Sequence, residues 1–254
     1  MEQSEGVIAL KGVSKVFRDF WLRPTVKAVE GLDLSVAKGE VFALLGPNGS
    51  GKSTTIKMIL GLMAPSGGEV RLFGRKPDSA VARSRLGYLP ELSYLHPYLT
   101  ARETLMYYAG LCNLDRRTAK ERTAQLLAMV GLESVAGRPV GGFSKGMARR
   151  IALACSLIGK PELLILDEPT SGLDPVSTSE VKSLVKTLSA GGMTILMTSH
   201  LLGDAQDVCD RYAILNFGRK VAEGDLKTLG TSLQDVFLSK VGVGRGFDVA
   251  GFLK

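Results

Sequence analysis

The sequence contains few of the residues that metal sites and covalent cross-links require. Only three cysteines and two histidines occur among its 254 residues. The cysteines (Cys112, Cys155 and Cys209) form no CxxC pair and have no cluster of histidines near them. This argues against a structural zinc site and against a disulfide framework, and it is typical of a reducing compartment.

Long hydrophobic runs are also missing. The longest apolar run, Ile151 to Gly159, is about half the length of a membrane-spanning helix and contains Ser156. The N-terminus carries Glu2 and Glu5 rather than a basic stretch followed by an apolar one, so no secretion signal is predicted. We therefore expect a cytosolic protein.

The composition is that of a globular protein, with 45% hydrophobic and 22% charged residues. No long linker and no internal repeat divides the chain, so we predict a single domain over residues 1–254. The net charge of +7 suggests a nucleic acid or an anionic membrane as one alternative. However, no block of five like charges occurs, so we interpret the charge as a solvated surface and expect no nucleic-acid partner.

Short apolar strands alternate with amphipathic helices, which predicts an α/β fold with a mostly parallel sheet covered on both faces. The expected strands are Val7–Phe17, Val26–Val36, Glu40–Leu45, residues 69–73, residues 86–89, Leu163–Leu166 and Thr194–Met197. Asp174 followed by Pro175 predicts an N-cap and the first residue of a helix.

The segment from about residue 100 to 160 differs, because its pattern is all helical. Thr100 and Glu103 have the spacing of a capping box and begin a helix that runs through Leu111. Two further helices are expected at Arg117–Val130 and Ser144–Ile158.

A glycine-rich loop lies between the strand that ends at Leu45 and the next helix. Its pattern, Gly-x-x-x-x-Gly-Lys-Ser, is a complete phosphate-binding loop in its required context. Lys52 is predicted to reach the β- and γ-phosphates, Ser53 to ligate magnesium, and Thr54 and Thr55 to contact the α-phosphate. The nucleotide-binding residues predicted here are Gly46, Pro47, Asn48, Gly49, Ser50, Gly51, Lys52, Ser53 and Thr54.

Two other predicted strands also end in polar residues: Asp167 and Glu168 follow one, and His200 follows the other. Ligands of parallel sheets bind beyond the carboxyl ends of the strands, so these side chains should meet the phosphate loop. We expect Asp167 to hold Mg²⁺, Glu168 to orient or deprotonate the attacking water, and His200 to sense the γ-phosphate. The alternatives are two acids that open a loop and a structural histidine.

The base is predicted to be adenine rather than guanine. The N-K-x-D tetrapeptide typical of guanine specificity does not occur in the sequence. Phe17 or Trp21 is a candidate to stack on adenine, although either side chain also suits ordinary packing.

Taken together, these motifs resemble the ATP-binding subunits of ABC transporters along nearly the whole chain. The residues from Gly46 to Thr54 resemble Walker A, and Leu163 to Thr170 resemble Walker B with its catalytic glutamate. The residues Ser171 to Asp174 resemble the D-loop, His200 the switch histidine, and Phe17 the adenine-stacking aromatic. The implied fold is a phosphate-loop NTPase core with a mostly parallel sheet, an N-terminal antiparallel β subdomain and an inserted helical subdomain over about residues 94–160.

The most diagnostic segment, Gly142 to Met147, is similar to the LSGGQ signature of that family. Ser144 and Gly146 keep the family residues, whereas Lys145 and Met147 depart from them. The resemblance implies that Ser144 and Gly146 contact the γ-phosphate held by another subunit. Glu91 is a further departure, because it stands where the family commonly has a glutamine that approaches magnesium.

The resemblance also implies partners. Two cassettes, identical or different, would hold two Mg²⁺-ATP between them head to tail and drive a separate transmembrane permease, so the chain would lie peripherally at the cytoplasmic face of a membrane. The segment from Leu233 to Leu238 is similar to ATPases that serve separate exporter-type permeases. The predicted docking surface runs from Glu91 to Tyr108 and includes Tyr94, Tyr98, Tyr107 and Tyr108, although aromatic residues at helical spacing also suit a core.

Two other functions are compatible with the same motifs. One is a soluble ABC ATPase that acts on nucleic acid or ribosomes, and salt-dependent binding to nucleic acid would favour it. The other is a nucleotide-binding regulator, for which ATP would bind without turnover. The intact Lys52, Asp167, Glu168 and His200 argue against the regulator. The departures at Glu91, Lys145 and Met147 leave it open.

Overall fold

The computed structural model describes residues 6–21 and 23–242, so the predicted single domain over 1–254 extends beyond the described residues. The strands are β1 (Ile8–Arg18), β2 (Pro24–Val36), β3 (Val41–Leu45), β4 (Gly67–Leu72), β5 (Leu86–Leu89), β6 (Leu163–Leu166), β7 (Thr194–Ser199), β8 (Arg211–Asn216) and β9 (Arg219–Asp225). The helices are α1 (Lys52–Ile59), α2 (Ala80–Arg83), α3 (Ala101–Leu111), α4 (Arg116–Met129), α5 (Lys145–Leu157), α6 (Pro175–Ala190), α7 (Leu202–Val208) and α8 (Leu233–Val241).

The strands form two sheets. A three-stranded antiparallel sheet has the order β2-β1-β4, and a six-stranded sheet has the order β5-β6-β7-β3-β8-β9. All neighbours in the larger sheet are parallel except β8 and β9. This confirms the predicted mostly parallel sheet and the antiparallel N-terminal sheet, to which β4 adds a third strand.

The larger sheet is buried on both faces. Alternate residues of β3 pack into different cores: Phe42 and Leu44 pack with the antiparallel sheet and α1, whereas Val41, Ala43 and Leu45 pack on the opposite side, against α5 and α6. Because successive side chains of a strand point to opposite faces, a five-residue apolar run fills both cores. This fixes the position of the carboxyl end of β3.

The segment between β5 and β6 is helical, as predicted, and consists of α3, α4, α5 and two short 3₁₀ turns. The predicted capping box at its start is formed: Thr100 Oγ1 accepts from the Glu103 amide at 3.2 Å, and the Glu103 carboxylate accepts from the Thr100 amide at 2.9 Å. Asp174 likewise caps α6 by accepting from the Ser177 amide at 3.0 Å. Local sequence signals therefore determine where these helices begin.

All three cysteines are free thiols. None of the helices formed by residues 6–21 and 23–242 combines the length and apolar character needed to span a bilayer.

Candidate functional site

The phosphate loop joins β3 to α1 through glycines that no other residue can replace without strain. Gly46 and Gly51 have φ angles of 151° and 109°. A Cβ at Gly46 would lie 2.4 Å from the carbonyl oxygen of Leu215, and one at Gly51 would lie 2.5 Å from that of Ala28. The loop is therefore packed directly against β2 and β8, which holds its shape.

Lys52, the first residue of α1, is a buried cation. Its Nζ donates to the carbonyl oxygens of Gly46 at 2.6 Å and Pro47 at 3.3 Å, and it lies 3.8 Å from Glu168 Oε1. Burial lowers the pKa of Lys52, and the carboxylates of Glu168, Asp167 and Glu91 offset part of that shift. The site thus holds a positive charge among carboxylates at the N-terminus of a helix.

Asp167 and Glu168 lie just beyond β6 and are both buried. The hydroxyl of Thr198 at the end of β7 donates to Asp167 Oδ1 at 2.6 Å and accepts from the Glu168 amide at 3.0 Å. Glu168 has a φ angle of 48°, in the left-handed region that non-glycine residues seldom adopt. The two carboxylates therefore have different side-chain partners: Thr198 for Asp167, and Lys52 and His200 for Glu168.

His200 follows β7 and contacts Glu168 through two groups. Its Nδ1 lies 2.7 Å from Glu168 Oε2, and its amide donates to the same oxygen at 3.2 Å. An imidazole nitrogen that bonds a carboxylate must carry a proton, so Nδ1 is the donor and Nε2 lies on the other side of the ring. The three strand ends predicted from the sequence therefore meet at one carboxylate, that of Glu168.

These residues border an open cleft of about 690 Å³. The cleft is lined by residues 47–54 and by Val26, Lys27, Ala28, Glu91, Glu168, Ser171, His200 and Phe217. Phe17 does not line it: this half-exposed residue pairs on β1 with Val26, which does. Gly46 and Asp167 lie behind the lining, where they contact Lys52 and Thr198.

Ser144 and Gly146 lie at the start of α5, outside this cleft. Ser144 Oγ caps the helix by accepting from the Met147 amide at 3.2 Å. A Cβ on Gly146 would lie 2.1 Å from the hydroxyl of Ser177 on α6, so only glycine fits there. The motif predicted to contact phosphate is therefore rigidly held, but not beside its own phosphate loop.

The predicted docking surface is largely exposed rather than core. Tyr94, Tyr98 and Tyr107 are 87%, 82% and 58% exposed, whereas Tyr108 packs against the helical core. Tyr94 and Tyr108 line a groove of about 620 Å³ between β5 and the helices α3 and α5. Three of the four tyrosines thus have the exposure that a docking surface requires.

Two residues of the site were missed in the sequence. Thr198 links Asp167 to Glu168, and Arg149 of α5 is buried and bonds the carbonyl groups of the same turn. The sequence does contain a signal for Arg149. This residue lies three residues after Gly146 and three before Ala152, a helical spacing that puts all three on the buried face of α5. A single arginine on the buried face of a helix indicates a specific polar partner.

The fold and the cleft define a phosphate-loop ATPase. A family model described as ABC transporter matches residues 29–171, more than half of the chain. The chain belongs to the ABC transporter family, in which it is an ATP-binding ATPase subunit.

The chain is similar in sequence to several named ATP-binding proteins. It is 40% identical to the linearmycin resistance ATP-binding protein LnrL of Bacillus subtilis, over 87% of this chain and 73% of the relative. It is 42% identical to the Nod factor export ATP-binding protein I of Sinorhizobium fredii, over 87% of this chain and 64% of the relative. The chain spans 61% to 73% of the length of such curated relatives.

A solved structure of a dimeric ATP-binding cassette in a post-hydrolysis state, bound to ADP and Pi, has the same fold. It matches with a TM-score of 0.77 and 26% identity, covering 86% of this chain and 98% of that chain.

Proposed function

We propose that this chain hydrolyses ATP in the cleft described above, with Glu168 as the residue that orients or deprotonates the attacking water. The observation that carries the proposal is the position of the Glu168 carboxylate, which contacts Lys52 on one side and His200 on the other. Lys52 would bind the β- and γ-phosphates. His200 donates its Nδ1–H to Glu168, which leaves Nε2 available to the γ-phosphate when the ring is protonated.

The residues around the cleft suit a magnesium ion held jointly with phosphate oxygens. In the part of the chain that the structure describes, no group of three or more His, Cys, Asp or Glu residues is placed to hold a metal alone. Ser53 and Glu91 line the cleft, and Asp167 lies behind it, held by Thr198. Mg²⁺ is usually bound through few protein oxygens and several phosphate or water oxygens, and it would supply positive charge to the phosphates.

Adenine would lie at the end of the cleft formed by β2. Val26, Lys27 and Ala28 line that end, and Phe17 on β1 is adjacent to Val26. Phe17 is the proposed stacking residue because its ring is only partly covered, with Lys15 Nζ 5.7 Å from its centroid.

The second nucleotide contact would come from another cassette. Ser144 and Gly146 lie at a helix N-terminus outside the lining of their own cleft, so we propose that this N-terminus binds the γ-phosphate held by a second subunit. The dimeric cassette with ADP and Pi, which shares this fold, supports such pairing. The partner cassette would be a second copy or a related chain.

A transmembrane permease would dock on the predicted docking surface, whose exposed tyrosines (Tyr94, Tyr98 and Tyr107) we call the exposed tyrosine face. Tyr94 and Tyr98 lie in the loop that follows Glu91, so a protein bound there would contact the segment that leads directly to the cleft. Named relatives that act in export and resistance support an export-type partner at the cytoplasmic face of a membrane. Aromatic side chains exposed beside a groove are typical anchors of such contacts.

The experiment compares the native chain with Glu168→Gln by phosphate release and by light-scattering chromatography with and without Mg²⁺-ATP. We expect Glu168→Gln to lower hydrolysis by about 10²- to 10³-fold, the usual loss for a general base, and to accumulate an ATP-bound dimer. Glu162→Gln is the matched control, because the side chain of this exposed glutamate bonds Arg85 at the other end of β6, away from the residues that line the cleft. Native hydrolysis in Glu168→Gln would contradict the proposal, and ATP binding without turnover by the native chain would indicate a regulator.

A further inference from the structure

Arg149 occupies an unusual position on α5, five residues after the signature serine. Its side chain is buried, with only 7% of the residue exposed. It donates to the carbonyl oxygens of Pro169, Asp167, Glu168, Pro90 and Glu91 at 2.9, 2.8, 2.9, 2.5 and 3.0 Å, respectively. These five acceptors are backbone groups that belong to two separate loops, and the side-chain oxygen of Ser93 is a sixth acceptor at 3.3 Å.

The first of these loops carries the proposed catalytic carboxylate. Asp167, Glu168 and Pro169 are consecutive, and Arg149 bonds the carbonyl group of each of them through Nη2 or Nε. Glu168 has a left-handed backbone conformation, which persists only where surrounding contacts enforce it. The bonds from Arg149 are such contacts, and they fix the direction in which the Glu168 side chain leaves the turn.

The second loop leads from β5 to the exposed tyrosine face. Arg149 Nη1 bonds the carbonyl oxygens of Pro90 and Glu91 and lies 3.3 Å from Ser93 Oγ. Glu91 lines the nucleotide cleft, whereas Ser93 lines the groove between β5 and the helices α3 and α5. One guanidinium therefore joins the turn of Glu168 to the loop between cleft and groove.

The cation remains charged although it is buried. Burial lowers the pKa of Arg149 to about 10, and the carboxylates of Asp167, Glu91 and Glu168 favour the charged form. A group with that pKa is protonated at neutral pH. The planar guanidinium can satisfy five acceptors in fixed directions, which a lysine ammonium with three donors cannot do.

We propose that Arg149 is a positioning residue for ATP hydrolysis: it holds the turn of Glu168 in its productive conformation and ties that turn to the Glu91 loop. This inference rests on the proposed role of Glu168. Arg149 contacts neither phosphate nor water in this role and acts by positioning the turn that carries Glu168. Its loss should therefore change kcat and leave nucleotide binding intact.

The test compares Arg149→Lys and Arg149→Gln with Arg150→Lys by steady-state hydrolysis and by thermal unfolding. We expect both Arg149 variants to lower kcat by about tenfold to a hundredfold, the effect of a misplaced catalytic group, with KM changed by no more than about twofold. Arg150 is the matched control, because it bonds one carbonyl, that of Val130, and pairs with Glu180, contacts that lysine can also make. Arg150→Lys should keep the native kcat.

A double-mutant comparison separates this inference from the proposed function. If Arg149 acts through Glu168, Arg149→Lys should lower hydrolysis no further in a Glu168→Gln background, and that double variant should still dimerise with ATP. Additive losses, or loss of the dimer, would show a general structural role and overturn the inference. So would a native kcat in both Arg149 variants, or failure of both to fold. Failure of the proposed function is a different result, namely Glu168→Gln alone hydrolysing at the native rate.

Discussion

Helices α1 and α5 both present an N-terminus to a phosphate in the proposed mechanism, but their surroundings differ. No side chain of the described residues caps α1, whose N-cap is Gly51, and Lys52 adds a cation beside it. The start of α5 is capped by its own Ser144 and lies outside the cleft. The uncapped terminus of α1 is open to an anion within its own chain, whereas the start of α5 lies outside that cleft, and the proposal places the phosphate of a second subunit there.

The different surroundings of α1 and α5 suggest that nucleotide binding and dimerisation depend on different parts of the chain. In the proposed mechanism, the end of β3 and α1 hold the phosphates, and the ends of β6 and β7 supply groups that hold magnesium and activate water. The helical segment contains the signature residues and lies beside the exposed tyrosine face. Phosphate binding within one chain should therefore depend on the first region and not on α5, whereas dimerisation should depend on both.

The largest effect is expected at α1. Lys52→Met removes the buried cation but keeps a long apolar side chain, so the protein should fold while hydrolysis falls by about 10²- to 10³-fold. Removing one member of a buried charge pair leaves Glu168 without this cation, so the free energy of unfolding should also fall, by about 3–5 kcal/mol, and thermal unfolding measures that loss. Phosphate release and ATP titration measure the effect. Lys57→Met, an exposed change in the last turn of the same helix, is the control, and an equal loss there would contradict the account.

A smaller effect is expected from Thr198→Val at the carboxyl end of β7. Valine has nearly the same shape but leaves Asp167 and the Glu168 amide without their shared hydroxyl partner. Stability should fall by about 1–3 kcal/mol and hydrolysis by about tenfold. Thermal unfolding and initial rates of phosphate release measure the two effects.

Thr194→Val provides the control for that change. Thr194 is equally buried on the same strand, but its hydroxyl accepts from the Gly39 amide at the opposite end of the sheet. The Thr194→Val variant should therefore lose stability and keep the native rate of ATP hydrolysis. If Thr198→Val and Thr194→Val lost hydrolysis equally, the hydroxyl at the carboxyl end of β7 would have no specific role in catalysis.

The smallest effect is expected at α3, whose N-cap has no part in nucleotide binding. Thr100→Ala breaks the capping box and should lower stability by about 1 kcal/mol, with a fall in Tm of about 2–4 °C and no change in hydrolysis. Thr187→Ala, in the exposed interior of α6, should leave Tm nearly unchanged. A loss of activity in Thr100→Ala would mean that α3 also positions the site.

Local signals in the sequence account for much of the fold. Leu163–Leu166 was predicted as a strand with the bounds that the structure has, since four apolar residues end abruptly at Asp167. Thr100 and Asp174 cap helices as predicted, because capping depends on residues three positions apart. The meeting of three strand ends at Glu168 follows from the geometry of parallel sheets.

The remainder depends on contacts distant in sequence. Arg149 lies 59 residues from Pro90 and 20 from Pro169, and no local pattern states which loops a buried guanidinium will join. The positions of Phe17 beside the cleft and of Ser144 outside it likewise follow from how the two sheets and α5 pack together.

The most direct test of the division between α1 and α5 changes the charge of the α5 cap alone. Ser144→Asp keeps a good N-cap but places a negative charge where the γ-phosphate of a second subunit is proposed to bind. In a Glu168→Gln background, we expect the monomer to bind Mg²⁺-ATP as before and the ATP-dependent dimer to disappear by light-scattering chromatography, whereas the neutral Ser144→Asn keeps it. A persistent dimer in Ser144→Asp, or a loss of ATP binding by its monomer, would contradict the account.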